Sequence, residues 1–379
     1  MKYRKFGRLD WQVSALGFGA MRFPVINNDH TNVDEYNTIK MLRFAIDHGV
    51  NYIDSAYGYH RGNSEIVIGK ALKDGYRGRV RIATKLPAHE TNSAADFDRI
   101  LNEQLKRLQT EKIDFYLLHG LNRFDWPKVR DFGVIEWAEG AMKDGRIGYL
   151  GFSFHDTFAV LKEIIEAYDN WTMCQIQYNF MNENIQAGTR GLEYAHKKGL
   201  AVIAMEPVYA GRLARIPPSV GNLWDNAHIQ RTPPEWALRW VWNHPEVTLA
   251  LSGMSKMEQV IENIAVANDA RPDSLTAADL ALIARVRDTY LALNTVACTG
   301  CRDCMPCERG VNIPRIFDLY NEAIIYNTAV ENRKSYDSMR PAERADKCNK
   351  CGECLALCAN KVNIPAGLEK AHEFLAAKA

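Results

Sequence analysis

The chain of 379 residues has no excess of charge of either sign and no long hydrophobic run. Lysine and arginine number 47 against 46 aspartates and glutamates, so the composition does not indicate nucleic acid or an anionic membrane as a partner. No run of about 18 apolar residues occurs, so no segment is predicted to span a membrane. The amino-terminal sequence MKYRKFGRLDWQVS lacks the apolar stretch of a secretion signal. We therefore expect a cytoplasmic protein.

Cysteine is almost absent from the first three quarters of the chain. Only Cys174 precedes residue 298, and the other eight cysteines lie between Cys298 and Cys358. In a long chain without an export signal, such a cluster indicates metal ligation rather than disulfide bonds. Hydrophobic residues make up 47% of the chain, which is enough for a large buried core.

Residues 1–290 alternate short β-branched or aromatic segments with amphipathic ones. The predicted strands are Val13–Phe18, Asn51–Ile53, Val80–Thr84, Ile113–Leu118, Tyr149–Phe152, Met173–Gln177, Ala201–Met205 and Val247–Leu251. The predicted helices are Val33–His48, Ser64–Lys73, Ala95–Leu108, Val134–Lys143, Ala159–Tyr168, Gly191–Lys198, Pro234–Asn243 and Met257–Asn268. Eight βα units in series favour an α/β fold of the (β/α)8 (TIM) barrel type. The main alternative is a doubly wound sheet with a Gly-rich turn before its first helix, but no third glycine and no prompt helix follow Gly17-Phe18-Gly19.

The last 80 or so residues lose this alternation and contain an internal repeat. Cys298, Cys301 and Cys304 each recur 50 residues later, and Cys307 recurs 51 residues later; the copies are Cys348, Cys351, Cys354 and Cys358. Both runs are followed by the tetrapeptide Val-Asn-Ile-Pro, which indicates two copies of one unit. Residues 315–347 between the runs are predicted to be helical, residues 315–331 especially. We therefore expect a barrel over residues 1–290 and a mostly helical ferredoxin-like domain over residues 291–379.

Polar side chains stand at the ends of three successive predicted strands, where a (β/α)8 barrel carries its chemistry. They are Asp54, Lys85 and His119, with Tyr57 and Tyr59 shortly after Asp54. A tyrosine hydroxyl can protonate the oxygen of a carbonyl that receives a hydride, and a nearby lysine would lower its pKa. An aspartate would hold that lysine, and a neutral histidine could donate a hydrogen bond to the developing oxyanion.

Over roughly residues 1–270 the sequence resembles the aldo-keto reductases. The resemblance rests on NYIDSAYGY (51–59), ATK (83–85), DFYLLH (114–119), LGFS (150–153), QIQY (175–178) and IEN (261–263). It implies the catalytic tetrad Asp54, Tyr59, Lys85 and His119, with Tyr57 as a lesser candidate for the tyrosine. It also implies NAD(P)H bound over the barrel mouth, and reduction of an aldehyde or ketone or the reverse oxidation.

The resemblance further implies a set of cofactor contacts. Ser153 and Gln175 would hold the nicotinamide carboxamide, Met205 stands where the family has a stacking aromatic residue, and Phe154 replaces the usual asparagine after the serine. The other expected contacts are Gly19, Met21, Gly253, Lys256, Gln259, Glu262 and Asn263. Gly253 and Gln259 occupy the positions of the lysine and arginine that bind the 2′-phosphate in NADPH-selective members, so NADH and NADPH both stay open.

Eight cysteines in two C-x2-C-x2-C-xn-C runs match the ligands of two [4Fe–4S] clusters. In two-cluster ferredoxins the fourth cysteine of each run serves the other cluster. Transferred here, Cys298, Cys301, Cys304 and Cys358 hold one cluster, and Cys348, Cys351, Cys354 and Cys307 hold the other. The alternative is a pair of structural four-cysteine zinc sites.

Three functions follow from these patterns. The first is a carbonyl oxidoreductase whose clusters exchange single electrons with ferredoxin or another redox partner. The second is an electron-transfer or redox-sensing protein with a weakly catalytic barrel, and the third is a zinc-stabilised carbonyl reductase. The identity of the small carbonyl or alcohol substrate cannot be read from the sequence, because pocket residues lie in loops.

Overall fold

The computed structural model describes residues 1–377. The chain forms two compact units: the first comprises Met1–Gly211 and Thr232–Thr276, and the second comprises Arg212–Arg231 and the residues from Ala277 onward. The single boundary at residue 290 stays a prediction from the sequence. No helix within residues 1–377 combines the length and apolar character needed to cross a bilayer.

Ten strands lie in the first unit, and eight of them close into a parallel barrel. A hairpin comes first, formed by β1 (Tyr3–Lys5) and β2 (Gln12–Ser14). The barrel strands are β3 (Leu16–Gly19), β4 (Tyr52–Asp54), β5 (Arg81–Pro87), β6 (Ile113–Leu121), β7 (Ile147–Phe154), β8 (Met173–Gln177), β9 (Ala201–Met205) and β10 (Val247–Gly253). Each pairs with the next, and β10 pairs with β3 to close the ring. The predicted (β/α)8 fold is confirmed.

Fifteen α-helices are present in the described chain. They are α1 (Glu35–Asp47), α2 (Asn63–Ala71), α3 (Ala95–Leu108), α4 (Asp125–Asp131), α5 (Val134–Lys143), α6 (Phe158–Glu166), α7 (Gly188–Lys197), α8 (Pro218–Asp225), α9 (Pro233–Asn243), α10 (Met257–Ala267), α11 (Ala277–Ala292), α12 (Ile313–Ile325), α13 (Ala329–Asp337), α14 (Glu353–Leu357) and α15 (Ile364–Leu375). Helices α8 and α11–α15 belong to the second unit. This unit is mostly helical, as predicted.

Aromatic packing fills the end of the barrel opposite the strand carboxyl ends. Phe6, on the hairpin turn, is fully buried and stacks on Phe115 with ring centroids 4.6 Å apart. Tyr52 and Met173 are also fully buried in this cluster. Burying one such side chain contributes about 1.5–3 kcal/mol. The barrel is therefore closed at this end, which leaves the strand carboxyl ends for the site.

The second unit has its own apolar core. Phe317 on α12 and Leu368 on α15 are almost fully buried, and they belong to one cluster with Val311 and Tyr336. Six of the eight clustered cysteines belong to this core or pack against it. The core therefore positions the two cysteine runs.

Two local predictions are wrong. The segment Val13–Phe18 is not one strand but the end of β2 and the start of β3, because Ala15 N turns away to Lys2 O (2.9 Å) and Ser14 Oγ donates to Leu16 O (2.7 Å). The helix expected over residues 315–331 is broken between α12 and α13, since Asn327 adopts a left-handed φ of 52°. Helices α4, α8 and α11 were not predicted.

Candidate active site and cysteine clusters

Asp54 and Lys85 form a buried ion pair at the carboxyl ends of β4 and β5. Both side chains are only 1% exposed. Lys85 Nζ donates to Asp54 Oδ1 and to Ser55 O, the latter at 2.6 Å. Burial by itself lowers the pKa of Lys85, but the Asp54 carboxylate and, to a smaller extent, the Tyr59 hydroxyl outweigh it, and the pKa is raised. The lysine therefore keeps its positive charge although it is out of contact with water.

The second carboxylate oxygen of Asp54 is also fully engaged. Asp54 Oδ2 accepts from Tyr52 Oη at 3.2 Å and from Gln175 Nε2. Tyr52 was missed in the sequence analysis, because a tyrosine inside a strand has the same pattern as any apolar strand residue. These contacts fix the carboxylate that holds Lys85.

Tyr59 and His119 lie beside this ion pair. Lys85 Nζ is 5.1 Å from the centre of the Tyr59 ring, and the Tyr59 and His119 rings meet edge-on with centroids 5.8 Å apart. Burial raises the pKa of Tyr59, and the charge of Lys85 opposes that rise without cancelling it. Burial and Lys85 together hold the pKa of His119 well below its ordinary value. Tyr59 is therefore a protonated hydroxyl at neutral pH, and His119 is a neutral imidazole.

Tyr57 does not join this group. Its hydroxyl donates to Glu103 Oε2 at 2.9 Å, and its ring faces the Arg107 guanidinium at 4.4 Å from the ring centre. Both partners belong to α3, on the outside of the barrel. Of the two tyrosines, the structure places Tyr59 rather than Tyr57 beside Lys85.

Ser153 and Gln175 are direct neighbours on β7 and β8 and are almost fully buried. The Gln175 amide nitrogen faces the Asp54 carboxylate, which leaves Gln175 Oε1 buried with no hydrogen-bond partner. Ser153 Oγ accepts from Gly120 N at 2.8 Å and keeps its own proton to donate. A carboxamide needs one acceptor and one donor, and this pair of side chains offers both. The residues present thus fit a nicotinamide carboxamide.

The end of β10 and the start of α10 carry the next group of predicted cofactor residues. Gly253 pairs with Gly19 across β10 and β3. A Cβ at Gly253 would lie 3.4 Å from the Arg22 side chain, so the exposed Arg22 packs along this glycine. Gln259 Oε1 accepts from Ser255 N at 2.8 Å and caps α10. Lys256 is exposed at the same helix end.

Arg22 is a further cation near Gly253, the position where the family lysine is missing. It was not predicted from the sequence because it is far from residue 253 along the chain.

The remaining predicted cofactor residues are spread around the barrel. Glu262 accepts from Thr232 Oγ1 at 2.5 Å, and Asn263 donates to Ser252 Oγ at 3.1 Å, so both already have protein partners. Met205 ends β9 and is half-buried, whereas Met21 is 60% exposed. These contacts stay predictions.

The cysteines of the second unit fall into two groups that mix the two runs. Cys298, Cys301 and Cys304 line one cavity together with Cys358 from the second run. Ile313, Phe317 and Ile364 supply apolar walls to the same cavity. The pKa of Cys298 is raised to about 11 by burial, with a further contribution from the charges of Cys301 and Cys358.

Cys307 of the first run is close enough to Cys354 of the second run to interact with it electrostatically. Burial raises the pKa of Cys354, and the charges of Cys348, Cys351 and Cys307 add to the rise. Cys307 comes from the first run, as the predicted exchange of fourth cysteines requires, and the two ligand sets stay predictions. Among residues 1–377 no three Cys, His, Asp or Glu side chains are close enough to chelate one ion. A four-iron cluster instead binds each thiolate at a separate iron, and four thiolates around an apolar cavity fit such a group.

The barrel and the ion pair beside a tyrosine and a histidine define a (β/α)8 oxidoreductase. A model of the "Aldo/keto reductase family" matches residues 15–283, and the chain belongs to this family. A model of the "4Fe-4S dicluster domain" matches residues 297–363. This second match favours iron–sulfur over zinc ligation by the cysteine runs.

Individual relatives agree with this assignment. A probable aldo-keto reductase of Glycine max is 25% identical over 299 residues, covering 69% of this chain and 82% of the relative. The holo form of an aldo-keto reductase from Bacillus halodurans superimposes with a TM-score of 0.63 at 28% identity, covering 76% of this chain and 96% of that one. An aldo-keto reductase from Klebsiella pneumoniae in complex with NADPH gives 0.61 at 26% identity, covering 76% and 95%.

Proposed function

We propose that this protein reduces an aldehyde or ketone with NADPH, and that its cysteines carry two [4Fe–4S] clusters that exchange single electrons with an external carrier. The observation that supports the first part is the buried Asp54–Lys85 pair with Tyr59 and His119 beside it. NADPH is preferred to NADH because two solved structures of aldo-keto reductases from Klebsiella pneumoniae are complexes with NADPH and with NADP and acetate. Arg22 and Lys256 supply cations for a phosphate.

The residues of the site have separate tasks in this reaction. When bound, the reduced nicotinamide supplies a hydride to the carbonyl carbon. Tyr59 gives its proton to the carbonyl oxygen, while Lys85 offsets the negative charge left on the tyrosine. Neutral His119 donates a hydrogen bond to the same oxygen as its charge develops. Asp54 keeps Lys85 charged and in place, and Gln175 Oε1 with Ser153 Oγ orients the carboxamide.

The test is the stoichiometry of the reaction. Purified protein, NADPH and 4-nitrobenzaldehyde as a general probe should consume one NADPH for each alcohol formed. Omitting the aldehyde should stop NADPH consumption. NADPH oxidation that proceeds without the aldehyde, or no alcohol product with any of a panel of aldehydes and ketones, would contradict the proposal.

The cluster part of the proposal is supported by the cysteine groups and by the match to the dicluster family. Held by these cysteines, two reduced clusters would supply two electrons one at a time, and two electrons with one proton are what the reduction of one NADP⁺ to NADPH requires. Cys351 is exposed whereas Cys304 is buried, so we assign exchange with a carrier such as ferredoxin to the group that contains Cys351.

Metal analysis and reoxidation test this part. Anaerobically purified protein should contain about eight irons and eight sulfides per chain. About two zincs without sulfide would make the cysteine groups structural. Dithionite-reduced clusters, freed of excess dithionite, should reoxidise when NADP⁺ and the aldehyde are added together. Clusters that stay reduced would leave the barrel and the clusters unconnected, as in a redox-sensing protein.

A further inference from the structure

A buried carboxylate lies next to β5, between this strand and helix α3. Glu65, in the first turn of α2, is 0% exposed. Its Oε1 accepts from Thr84 Oγ1 at 2.5 Å and from Gln104 Nε2 at 2.7 Å, and its Oε2 accepts from Arg107 Nη1 at 3.2 Å. Thr84 immediately precedes Lys85, so this carboxylate joins β5 to α3.

Arg107 contacts both ends of the loop that carries Tyr59. At one end its Nη1 donates to Tyr57 O at 3.0 Å. At the other end its guanidinium covers Gly62, since a Cβ there would lie 2.8 Å from Arg107 Cζ. Gly62 also has φ +92°, a backbone conformation that favours glycine. Both this conformation and the close approach of the guanidinium therefore require glycine at position 62.

The loop between these two contacts is strained. His60 and Arg61, which follow Tyr59 directly, both have φ of 51° although neither is glycine. Such conformations persist only where surrounding contacts determine them. Within residues 57–62 those contacts include Arg107 at both ends and a hydrogen bond between His60 Nδ1 and His30 O at 2.8 Å.

We propose that Arg107, held by the buried Glu65, is a positioning residue that fixes the loop of residues 57–62 and thereby sets Tyr59 beside Lys85. This inference rests on the proposed function. Arg107 does not touch the reacting atoms. It acts through both ends of its planar guanidinium fork: Nη1 binds Glu65 Oε2 and the Tyr57 carbonyl, and Nη2 binds Glu103 Oε1 on the same helix. A lysine at position 107 keeps the charge but cannot reproduce the fork.

The experiment compares Arg107→Ala and Arg107→Lys with the control Arg77→Ala. Arg77 also joins a half-buried aspartate, Asp114, to backbone carbonyls of the barrel, but near the amino-terminal ends of the strands. For Arg107→Ala we expect kcat for 4-nitrobenzaldehyde to fall about 10- to 100-fold, because small misplacements of a reacting group have effects of this size. The Kd for NADPH should change less than about threefold. Arg107→Lys should be intermediate, and Arg77→Ala should keep kcat within about threefold.

Two readouts separate positioning from general destabilisation. Methylguanidinium should restore part of the kcat of Arg107→Ala and none of the activity of Tyr59→Phe. Hydrogen exchange of peptides covering residues 55–64 should accelerate in Arg107→Ala and not in Arg77→Ala, and this readout does not depend on activity. If the wild-type protein reduces no carbonyl, the proposed function fails. Hydrogen exchange of residues 55–64 then tests the role of Arg107 by itself. Unchanged exchange of residues 55–64 in both Arg107 variants, or an unchanged kcat in an active enzyme, would overturn the inference. If Arg107→Ala does not fold, Arg107→Lys decides by the same measurements.

Discussion

Lys85 Nζ lies 5.1 Å from the centre of the Tyr59 ring and is held there by hydrogen bonds to Asp54 Oδ1 and Ser55 O. This relationship combines two opposite effects on the tyrosine. Burial disfavours the phenolate, and the lysine charge favours it. Because burial dominates, the site is set to donate a proton rather than to accept one at neutral pH.

The first prediction concerns the pH dependence of the reaction. The pKa of Tyr59 is raised above its ordinary value near 10, so the hydroxyl stays protonated at lower pH. For reduction, kcat/KM should be flat between about pH 7 and 9 and should fall only as the pH passes the raised pKa. Oxidation of the alcohol requires the phenolate and should rise with pH over the same range. A reduction rate that already falls between about pH 7 and 8 would identify another proton donor.

The second prediction concerns the buried ion pair. Asp54→Asn leaves the Lys85 ammonium buried without its counter-charge, which should cost about 3–5 kcal/mol of unfolding free energy and lower Tm. Asp74→Asn is the control, because Asp74 pairs with Arg43 but its side chain is 73% exposed and such pairs contribute little. Thermal unfolding, monitored by circular dichroism, gives the Tm of both variants. Equal and small losses would mean that the charge of Lys85 does not depend on Asp54.

The third prediction concerns cofactor choice. Lys256→Ala and Arg22→Ala should each raise KM for NADPH about tenfold or more and change KM for NADH less than about twofold, since the charge-assisted contact is made only to the additional phosphate. Lys162→Ala, on α6, removes an exposed lysine paired with Glu166 and should change neither KM. Equal increases for both cofactors would place the two cations on the pyrophosphate instead.

The fourth prediction concerns the exchange of fourth ligands between the cysteine runs. Cys298→Ser and Cys358→Ser should alter the same set of electron paramagnetic resonance signals, and Cys348→Ser and Cys307→Ser should alter the other set. Cys174→Ser, in the buried interior of β8, should leave both sets unchanged. If Cys358→Ser alters the same signals as Cys348→Ser, each cluster is bound by a single run, and the exchange of fourth ligands is contradicted.

The barrel could be predicted because each strand is a short apolar run followed by an amphipathic helix, a pattern that few folds share. Asp54, Lys85 and His119 were predicted as candidates because charged or polar residues are unusual at the ends of buried strands. The boundary between β2 and β3 was not predictable, since it depends on where Ala15 finds its hydrogen-bond partner.

Other parts of the site depend on contacts that are distant in sequence. Glu65 and Arg107 both appear as ordinary charged helix residues, and only the packing of α2 against α3 buries the carboxylate. Gln175 Oε1 has no hydrogen-bond partner because the amide nitrogen of the same side chain is turned toward Asp54. The grouping of Cys358 with Cys298 requires the path of the chain between the two runs.

The most direct test of the account is a comparison of Tyr59→Phe with Tyr57→Phe. Each variant loses one hydroxyl; that of Tyr59 is beside Lys85, and that of Tyr57 is bound to Glu103. NADPH consumption with 4-nitrobenzaldehyde should fall at least about 100-fold in Tyr59→Phe, as expected for loss of a general acid, and less than about threefold in Tyr57→Phe. NADPH binding should be unchanged in both. Equal activity of Tyr59→Phe and the wild-type protein would contradict the assignment of Tyr59 as the proton donor.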